Sequence, residues 1–167
     1  MGEHLLLRPL REDDFDALYA AASDPLIWEQ HPQRLRYQRD VFQNFFQEAV
    51  QSQGALVITD TRKEIIIGSS RYYDYHPETR DVIIGYTFLK RDYWGGTFNR
   101  ELKRLMLDHA FQAVDTVYFH VGESNTRSRK AMEKIGGTLV KTLTRTHHDG
   151  TEQRDVIYVL RSTGRSF

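Results

Sequence analysis

The chain has 167 residues, a length typical of one domain with its own hydrophobic core. Basic and acidic residues balance at 23 each, so no net charge favours nucleic acid or an anionic membrane as a partner. There is no cysteine, which excludes disulfides, thiolate metal sites and a thiol nucleophile, and no apolar run approaches the roughly 18 residues of a membrane span. We therefore expect a single domain over residues 1–167 in the cytoplasm, without a leader sequence or a membrane anchor.

The first third of the chain predicts a short strand followed by two helices. The strand Leu5–Pro9 ends at a proline, which cannot continue a sheet. Glu12–Ala22 has acidic residues in its first turn and apolar residues at helical spacing. The second helix, Arg39–Gln51, carries phenylalanines on one face, and Gly54 ends it.

The periodicity then changes to that of β-strands, because β-branched and aromatic residues alternate between turn signals. Three strands predict an antiparallel meander: Ala55–Thr59, Ile65–Tyr73 and Asp81–Leu89. A helix, a strand, a helix and a closing hairpin follow at Phe98–Val114, Thr116–Val121, Asn125–Ile135, Leu139–His147 and Gln153–Leu160. The helix between the third meander strand and Thr116–Val121 makes a crossover, which predicts a parallel pair within an otherwise antiparallel sheet.

A glycine-rich stretch, Asp92–Asn99, links the meander to the next helix. Gly95 and Gly96 allow a sharp turn and the close approach of a ligand. Backbone N–H groups at a helix start, together with the helix dipole, attract anions. The same local sequence is equally consistent with a plain turn. Three basic residues early in the helix oppose its dipole unless an anion lies nearby, and otherwise form a solvated face: Arg100, Lys103 and Arg104.

Three stretches carry a family resemblance: Leu5–Asp14, the segment from Ile84-Gly85-Tyr86 to Gly96, and the segment from Asn125 to Gly137. In this order they resemble the GNAT superfamily of acetyl-CoA-dependent N-acetyltransferases, and within it the RimJ/RimL branch that acetylates ribosomal-protein N-termini. The resemblance covers nearly the whole chain. It implies an α+β fold, in which about four helices pack on a mixed, mostly antiparallel seven-stranded sheet with a splayed central parallel pair.

Two motifs depart from the family pattern, at three positions: Asp92, Thr97 and Ile83. The acyl-CoA signature reads Gln/Arg-x-x-Gly-x-Gly/Ala, and the aligned residues here are Asp92, Gly95 and Thr97. Ile83 stands where the branch often has a glutamate before Ile-Gly-Tyr. Asp92 reverses a charge, Thr97 puts a β-branched side chain where a small one is usual, and Ile83 removes an acidic side chain. These changes leave open an alternative function, a non-catalytic acyl-CoA-binding or sensing module.

The resemblance implies which residues hold acetyl-CoA, with no metal involved. The diphosphate would lie on the backbone N–H groups of Gly95, Gly96, Thr97, Phe98 and Asn99. The pantetheine arm would pair with the backbone near Phe88, Leu89 and Lys90, like an added strand. Gly85 either forms a bulge that starts the splay or packs closely under an aromatic ring. Asn125 either caps its helix, contacts the arm, or does both.

The catalytic groups are less well defined by the sequence. The resemblance places Ser128 beside the sulfur, where it protonates the leaving thiolate; otherwise its hydroxyl bonds back to its own helix. His120 lies on the polar side of its strand and has a suitable intrinsic pKa for a general base, but the residue type favours the other interpretation, a satisfied structural histidine. A water chain is a further route for the proton. Weaker candidates for the base are Glu123, His147, His148 and Asp149.

The acceptor pocket is expected between the first helices and the closing hairpin, lined by Trp28, Tyr73 and Tyr75, although core packing explains Trp28 as well. The expected reaction moves an acetyl group from acetyl-CoA to a primary amine in a ternary complex. The amine belongs to a protein or peptide N-terminus or to a small molecule. A homodimer is a candidate assembly.

Overall fold

Seven strands form one mixed sheet in the computed structural model, which describes residues 3–31, 33–146 and 150–162. Their spatial order is β1-β2-β3-β4-β5-β7-β6. The strands are β1 Leu5–Pro9, β2 Ala55–Asp60, β3 Ile65–His76, β4 Asp81–Leu89, β5 Thr116–Gly122, β6 Thr138–Thr146 and β7 Glu152–Arg161. The helices are α1 Phe15–Ala22, α2 Arg39–Ser52, α3 Phe98–Ala110 and α4 Thr126–Lys134. The predicted element order and α+β class are confirmed.

Small differences from the predicted bounds have local causes. The first helix begins as a 3₁₀ turn over Glu12–Asp14, where the Asp14 carboxylate accepts hydrogen bonds from the Arg11 backbone N–H and the Arg8 guanidinium. Helix α3 ends at Ala110 and not at the predicted Val114, because the residues after Ala110 form turns. In the described part of the chain, no helix is long and apolar enough to cross a bilayer.

The central strands β4 and β5 are parallel, as the crossover predicted, but they pair over only part of their length. Pairing runs from Asp81 opposite Thr116 to Ile84 opposite Phe119 and then stops. Beyond that point β4 continues to pair with β3 on its other side. A gap therefore opens between the two central strands.

A bulge in β4 marks the start of this gap. Between the pairs Arg71–Gly85 and Ser69–Phe88, two β4 residues oppose one β3 residue, and Tyr86 takes a left-handed backbone conformation with φ of 53°. The bulge thus lies one residue after Gly85. Gly85 itself packs under an aromatic ring, since a Cβ added there would lie 3.0 Å from Cε1 of Tyr73.

Two hydrophobic cores position the site, one on each face of the sheet. The first joins the sheet to α3 and α4 and includes Leu102, Met106 and Met132. The second joins it to α1 and α2 through an aromatic cluster that includes Phe42 and Phe45. Each core follows from the apolar stripe of its helices.

A buried hydrogen bond fixes the segment that leads into the glycine turn. The Tyr93 hydroxyl donates to Asp60 Oδ2 at 2.5 Å, and the Arg62 backbone N–H donates to the same carboxylate. Burial, followed by the bond to Asp60, raises the pKa of Tyr93 to about 12, and the same bond lowers the pKa of Asp60. This contact ties the turn after β4 to the end of β2.

We predict that Tyr93→Phe lowers the free energy of unfolding by about 1–3 kcal/mol near neutral pH, because a buried carboxylate loses a donor. Urea unfolding measures the change. The lowered pKa of Asp60 gives stability that is present above its unfolded value of 3.8 and lost as pH falls through the folded value. The effect of the substitution should therefore shrink in acid. Tyr75→Phe, at a side chain 53% exposed, is the control and should change stability by less than about 0.5 kcal/mol. An equal loss in both variants would contradict the assignment.

Candidate active site

A cavity of about 710 Å³ occupies the gap between β4 and β5. Its walls are the ends of both strands, the glycine turn, the start of α3 and one face of α4. Five of its lining residues are cations and none is a carboxylate; the cations are Arg100, Lys103, Arg127, Lys130 and Lys134. The cavity is suited to an elongated ligand that carries several negative charges.

The glycine turn supplies backbone donors at one end of this cavity. Gly95 has φ of 70°, a conformation that favours glycine. Thr97 is the N-cap of α3 but makes no side-chain capping bond. The N–H groups from Gly95 to Asn99 donate to none of the residues that the structure describes. These free donors at the positive end of a 13-residue helix form an anion site.

Gly95, Gly96, Thr97 and Asn99 line the cavity, as expected, whereas the Phe98 side chain does not. Its ring packs on Tyr93, with centroids 4.8 Å apart. Asp92, the residue with the reversed charge in the signature, is exposed and does not line the cavity. Its carboxylate is therefore absent from the cavity wall.

The β4 residues expected to pair with a ligand divide between the two sides of the strand. The Lys90 N–H donates to Ile67 O at 2.8 Å, so it is used within the sheet, and Lys90 does not line the cavity. Because N–H groups alternate in direction along a strand, the Leu89 N–H faces the gap and that of Phe88 faces β3. The Leu89 carbonyl already accepts from the Trp94 indole N–H at 2.9 Å. Phe88 lines the cavity, and its side chain also belongs to the aromatic core.

Asn125 and Ser128 lie together at the start of α4. The Asn125 Oδ1 accepts from the Ser128 backbone N–H at 3.3 Å, which caps the helix, and both side chains line the cavity. The Ser128 hydroxyl makes no hydrogen bond to any described residue, including its own helix. It is half-buried and available to a ligand.

His120 lines the opposite side of the cavity and lies beside Arg145. The Arg145 Nη2 is 3.4 Å from Nδ1 of His120 and 3.3 Å from the buried Asp155 carboxylate. Arginine only donates, so Nδ1 accepts and the neutral imidazole carries its proton on Nε2. Burial and then the Arg145 charge lower the pKa of His120, which is neutral at pH 7. In this state His120 is a hydrogen-bond donor at Nε2, so a role as the base requires the other tautomer.

Of the three residues expected at the acceptor pocket, only Tyr73 lies beside His120, with ring centroids 6.4 Å apart. Burial raises the pKa of Tyr73, which keeps its hydroxyl protonated. Trp28 lines the cavity but is 1% exposed, and its indole N–H donates to Ala22 O at 2.9 Å, so it is a core residue. Tyr75 is exposed and does not line the cavity, because it lies near the outer end of β3.

The other candidates for a base do not lie in the cavity wall or cannot be placed. Glu123 forms an ion pair with Arg154 at 3.3 Å and does not line the cavity. His147, His148 and Asp149 lie outside the described residues. One group of side chains in the described ranges brings potential metal-ligand atoms within 4.8 Å of one another: Glu3, His4 and Glu101. None of these three lines the cavity.

Two cations in the site differ in how far the sequence predicted them: Lys103 was one of three basic residues named early in α3, and Arg127 was not singled out. Lys103 is 5% exposed; its Nζ donates to Thr87 Oγ1 at 3.3 Å and lies 5.3 Å from the centre of the Phe119 ring. The Arg127 guanidinium stacks on Trp94 at 3.6 Å and donates to Ile27 O, so it joins α4 to the glycine turn and to the chain after α1. The crowding of basic residues early in α3 pointed to Lys103, but helical spacing alone did not show which one turns inward.

The comparisons with known proteins agree with this geometry. Residues 4–138 match the family model of the acetyltransferase (GNAT) domain. The chain belongs to the GNAT acetyltransferases. Solved structures with this fold include an acetyltransferase of the GNAT family from Bacillus anthracis, at 19% identity and a TM-score of 0.79 over 96% of both chains.

Two further solved GNAT structures were determined with CoA ligands. The spermidine N-acetyltransferase from Vibrio cholerae, in complex with CoA and spermine, is 17% identical over 97% of this chain and 98% of its own, with a TM-score of 0.74. RimJ from Mycobacterium smegmatis, in complex with CoA-disulfide, is 18% identical over 97% of this chain and 85% of its own, with a TM-score of 0.73. At these identities the likeness shows a shared fold.

We predict that Lys103→Met stabilises the ligand-free protein near pH 7. Burial lowers the pKa of Lys103 from 10.5 to about 8. Between these two pKa values the unfolded chain binds the proton more tightly than the folded chain, so the free energy of unfolding rises with pH in this range. Below about pH 8 the folded protein carries the full cost of a buried ammonium group. Urea unfolding at about pH 7 and about pH 9.5 should show that the variant loses this rise. Lys130→Met, at an exposed cavity lysine, is the control. A variant that is less stable than the parent near pH 7 would contradict the prediction.

Proposed function

We propose that this GNAT acetyltransferase binds acetyl-CoA in the gap between β4 and β5 and transfers the acetyl group directly to a primary amine. The observation that carries the proposal is the cavity itself, which begins at free N–H groups on a helix N-terminus and whose wall, in the described part of the chain, has cations but no carboxylate. A CoA molecule carries a diphosphate and a further phosphate, which match that charge. The CoA ligands of the Vibrio and Mycobacterium structures support this choice.

The residues present fit the cofactor at both ends. The N–H groups from Gly95 to Asn99 would hold the diphosphate, and Arg100 and Lys103 would neutralise its charge. The Leu89 N–H, which faces the gap, would pair with the pantetheine arm, and Asn125 would contact it from α4. Bound acetyl-CoA supplies an activated thioester.

In the proposed transfer, the amine nitrogen forms a bond to the thioester carbon and the carbon–sulfur bond breaks. The free Ser128 hydroxyl donates a proton to the leaving thiolate. The attack starts from the neutral amine, which is partly populated at physiological pH because an α-amine has a pKa near 8. After the attack the nitrogen releases a proton to water, and water returns a proton to Ser128. His120 would orient the reacting groups through its Nε2–H donor. No cysteine is available for an acyl-enzyme, which favours a ternary complex.

The exposed position of Asp92 weakens the main argument for a non-catalytic binding module. That alternative rested on the reversed charge in the acyl-CoA signature, and the carboxylate does not reach the cavity. Thr97 remains in the cavity wall, where its hydroxyl would be available to the proposed diphosphate.

We predict that Gly95→Val weakens acetyl-CoA binding at least tenfold, because a β-branched side chain is strained at φ of 70° and would distort the anion site. Calorimetry with acetyl-CoA measures the affinity, and circular dichroism checks that the variant is folded. Gly150→Val is the matched control, since Gly150 also has positive φ, at 86°, but does not line the cavity. Equal affinity in the parent and in Gly95→Val would count against the anion site.

We predict that Ser128→Ala lowers kcat at least about tenfold and leaves the dissociation constant for acetyl-CoA unchanged, because the hydroxyl acts on the leaving thiolate. Thiol release with a panel of amines and N-terminal peptides gives kcat, and calorimetry gives the affinity. Ser124→Ala, at an exposed residue near the start of α4, is the control. A kcat equal to that of the parent would remove Ser128 from the mechanism.

A further inference from the structure

A buried arginine on the face of the sheet toward α2 has no ion-pair partner among the described residues. Arg71 lies in β3 and is 6% exposed. Its guanidinium carbon is 3.9 Å from the centre of the Tyr86 ring and 5.5 Å from that of Phe45. Its Nε and Nη2 atoms are buried and have no hydrogen-bond partner. A buried guanidinium without acceptors costs stability, so a purely structural role does not explain it.

A second arginine lies against the same rings. The Arg36 guanidinium carbon is 4.4 Å from the centre of the Phe45 ring and 5.9 Å from that of Tyr86. Burial, opposed by a favourable interaction with Tyr86 and reinforced by the Arg71 charge, lowers the pKa of Arg36 to about 10. Among the described residues, Glu48 is the acid that interacts with both cations, but it is exposed and forms no ion pair with either. The two arginines therefore form an uncompensated positive site.

Tyr86 connects this site to the reaction gap. It forms the β4 bulge where the strands separate, it lines the cavity, and its ring is the surface on which Arg71 stacks. The Tyr73 ring lies edge-on to Tyr86 at 5.1 Å, and His120 follows beside Tyr73. An anion held by the arginines would thus lie beside the point where the strands part.

The charge around the gap disfavours a polycationic acceptor. Among the described residues no carboxylate lines the cavity, whereas five cations do. The arginine pair instead offers planar guanidinium groups, which bind carboxylates through two parallel hydrogen bonds. Aromatic rings pack against both guanidinium groups and neither arginine lines the cavity, so a small acceptor that displaces Arg36 suits this position better than a peptide chain.

We propose that Arg36 and Arg71 bind a carboxylate of the acceptor, and that the acceptor is a small primary amine that also carries a carboxylate, of the amino-acid class. This inference rests on the proposed function, because it names the acceptor of that same reaction. The carboxylate enters where Arg36 now covers the Phe45 ring and completes the hydrogen bonds that Arg71 lacks. The aromatic rings fix the direction of the bound molecule, so its amine points toward the gap.

The test uses matched pairs of acceptors that differ only in the acid group: glycine, β-alanine and γ-aminobutyrate, each against its carboxamide. Thiol release from acetyl-CoA gives kcat/KM, corrected for the neutral fraction of each amine. In the parent protein we expect the corrected kcat/KM of at least one acid to exceed that of its amide at least tenfold. In Arg71→Met the KM for that acid should rise at least tenfold, while the rate with the amide and the affinity for acetyl-CoA stay unchanged.

Further variants separate binding from folding. Arg71→Lys keeps the charge but loses the planar fork, so it should recover only part of the preference for the acid. Arg36→Met should raise the KM for the acid in the same way, and it provides the test if Arg71→Met does not fold. Arg34→Met, at an exposed arginine in the same segment between α1 and α2, is the control and should leave the preference for the acid over its amide intact. Arg71→Met should not lower Tm, because it removes an unpaired buried charge.

The outcomes distinguish this inference from the proposed function. If acetyl-CoA does not bind, the proposed function fails, and with it the acceptor. If acetyl-CoA binds, three results would overturn the inference. The first is a kcat/KM for the amides that equals or exceeds that for the acids, and the second is turnover of acidic N-terminal peptides alone. The third is an equal loss of kcat/KM for acid and amide in Arg71→Met. If no panel member is acetylated, calorimetry of the three acids with the CoA-saturated protein decides. Binding that is lost in Arg71→Met supports the inference, and no binding overturns it.

Discussion

The incomplete pairing of two parallel strands is the constraint on which the rest of the structure depends. Strands β4 and β5 share a ladder only from Asp81 to Ile84, and the bulge at Tyr86 then turns β4 away. Backbone groups beyond that point lack a strand partner on one side, which an extended ligand can supply. The glycine turn and α4 are placed around this gap by the same two strands that create it.

Each face of the sheet carries one buried cation near the gap. Lys103 lies on the α3 side, and Arg71 lies on the α2 side. Neither has a carboxylate partner among the described residues, so each makes the ligand-free protein less stable than an apolar side chain would. Anionic groups of the two substrates would relieve these costs separately. Binding and stability are therefore coupled at both ends of the gap.

Much of the fold was predictable because it follows from local pattern and connection rules. The helix that joins β4 to β5 forced the parallel pair, and Asn125 after a strand signalled a helix cap, which it forms. The direction of individual side chains was not predictable in the same way. Helical spacing did not decide whether Lys103 lies beside an anion or on a solvated face, and Tyr75 was expected in a pocket whose cavity it does not line. Both depend on tertiary packing, which a single sequence does not encode locally.

The arginine pair shows a different limit. Arg71 lies in an otherwise unremarkable strand, and only the bulge at Tyr86 brings an aromatic ring beneath it. A one-residue shift of register changes which side chains share a face, so no periodicity could have identified the pair. The contact between Arg71 and Tyr86 thus depends on an irregularity in the sheet.

A crystal structure with bound acetyl-CoA tests the central claim most directly. The account predicts that the pantetheine arm lies between β4 and β5 beyond Ile84 and Phe119, with the diphosphate on the N–H groups from Gly95 to Asn99 and the sulfur near Ser128. A closed gap, or a cofactor bound on another surface of the sheet, would contradict it.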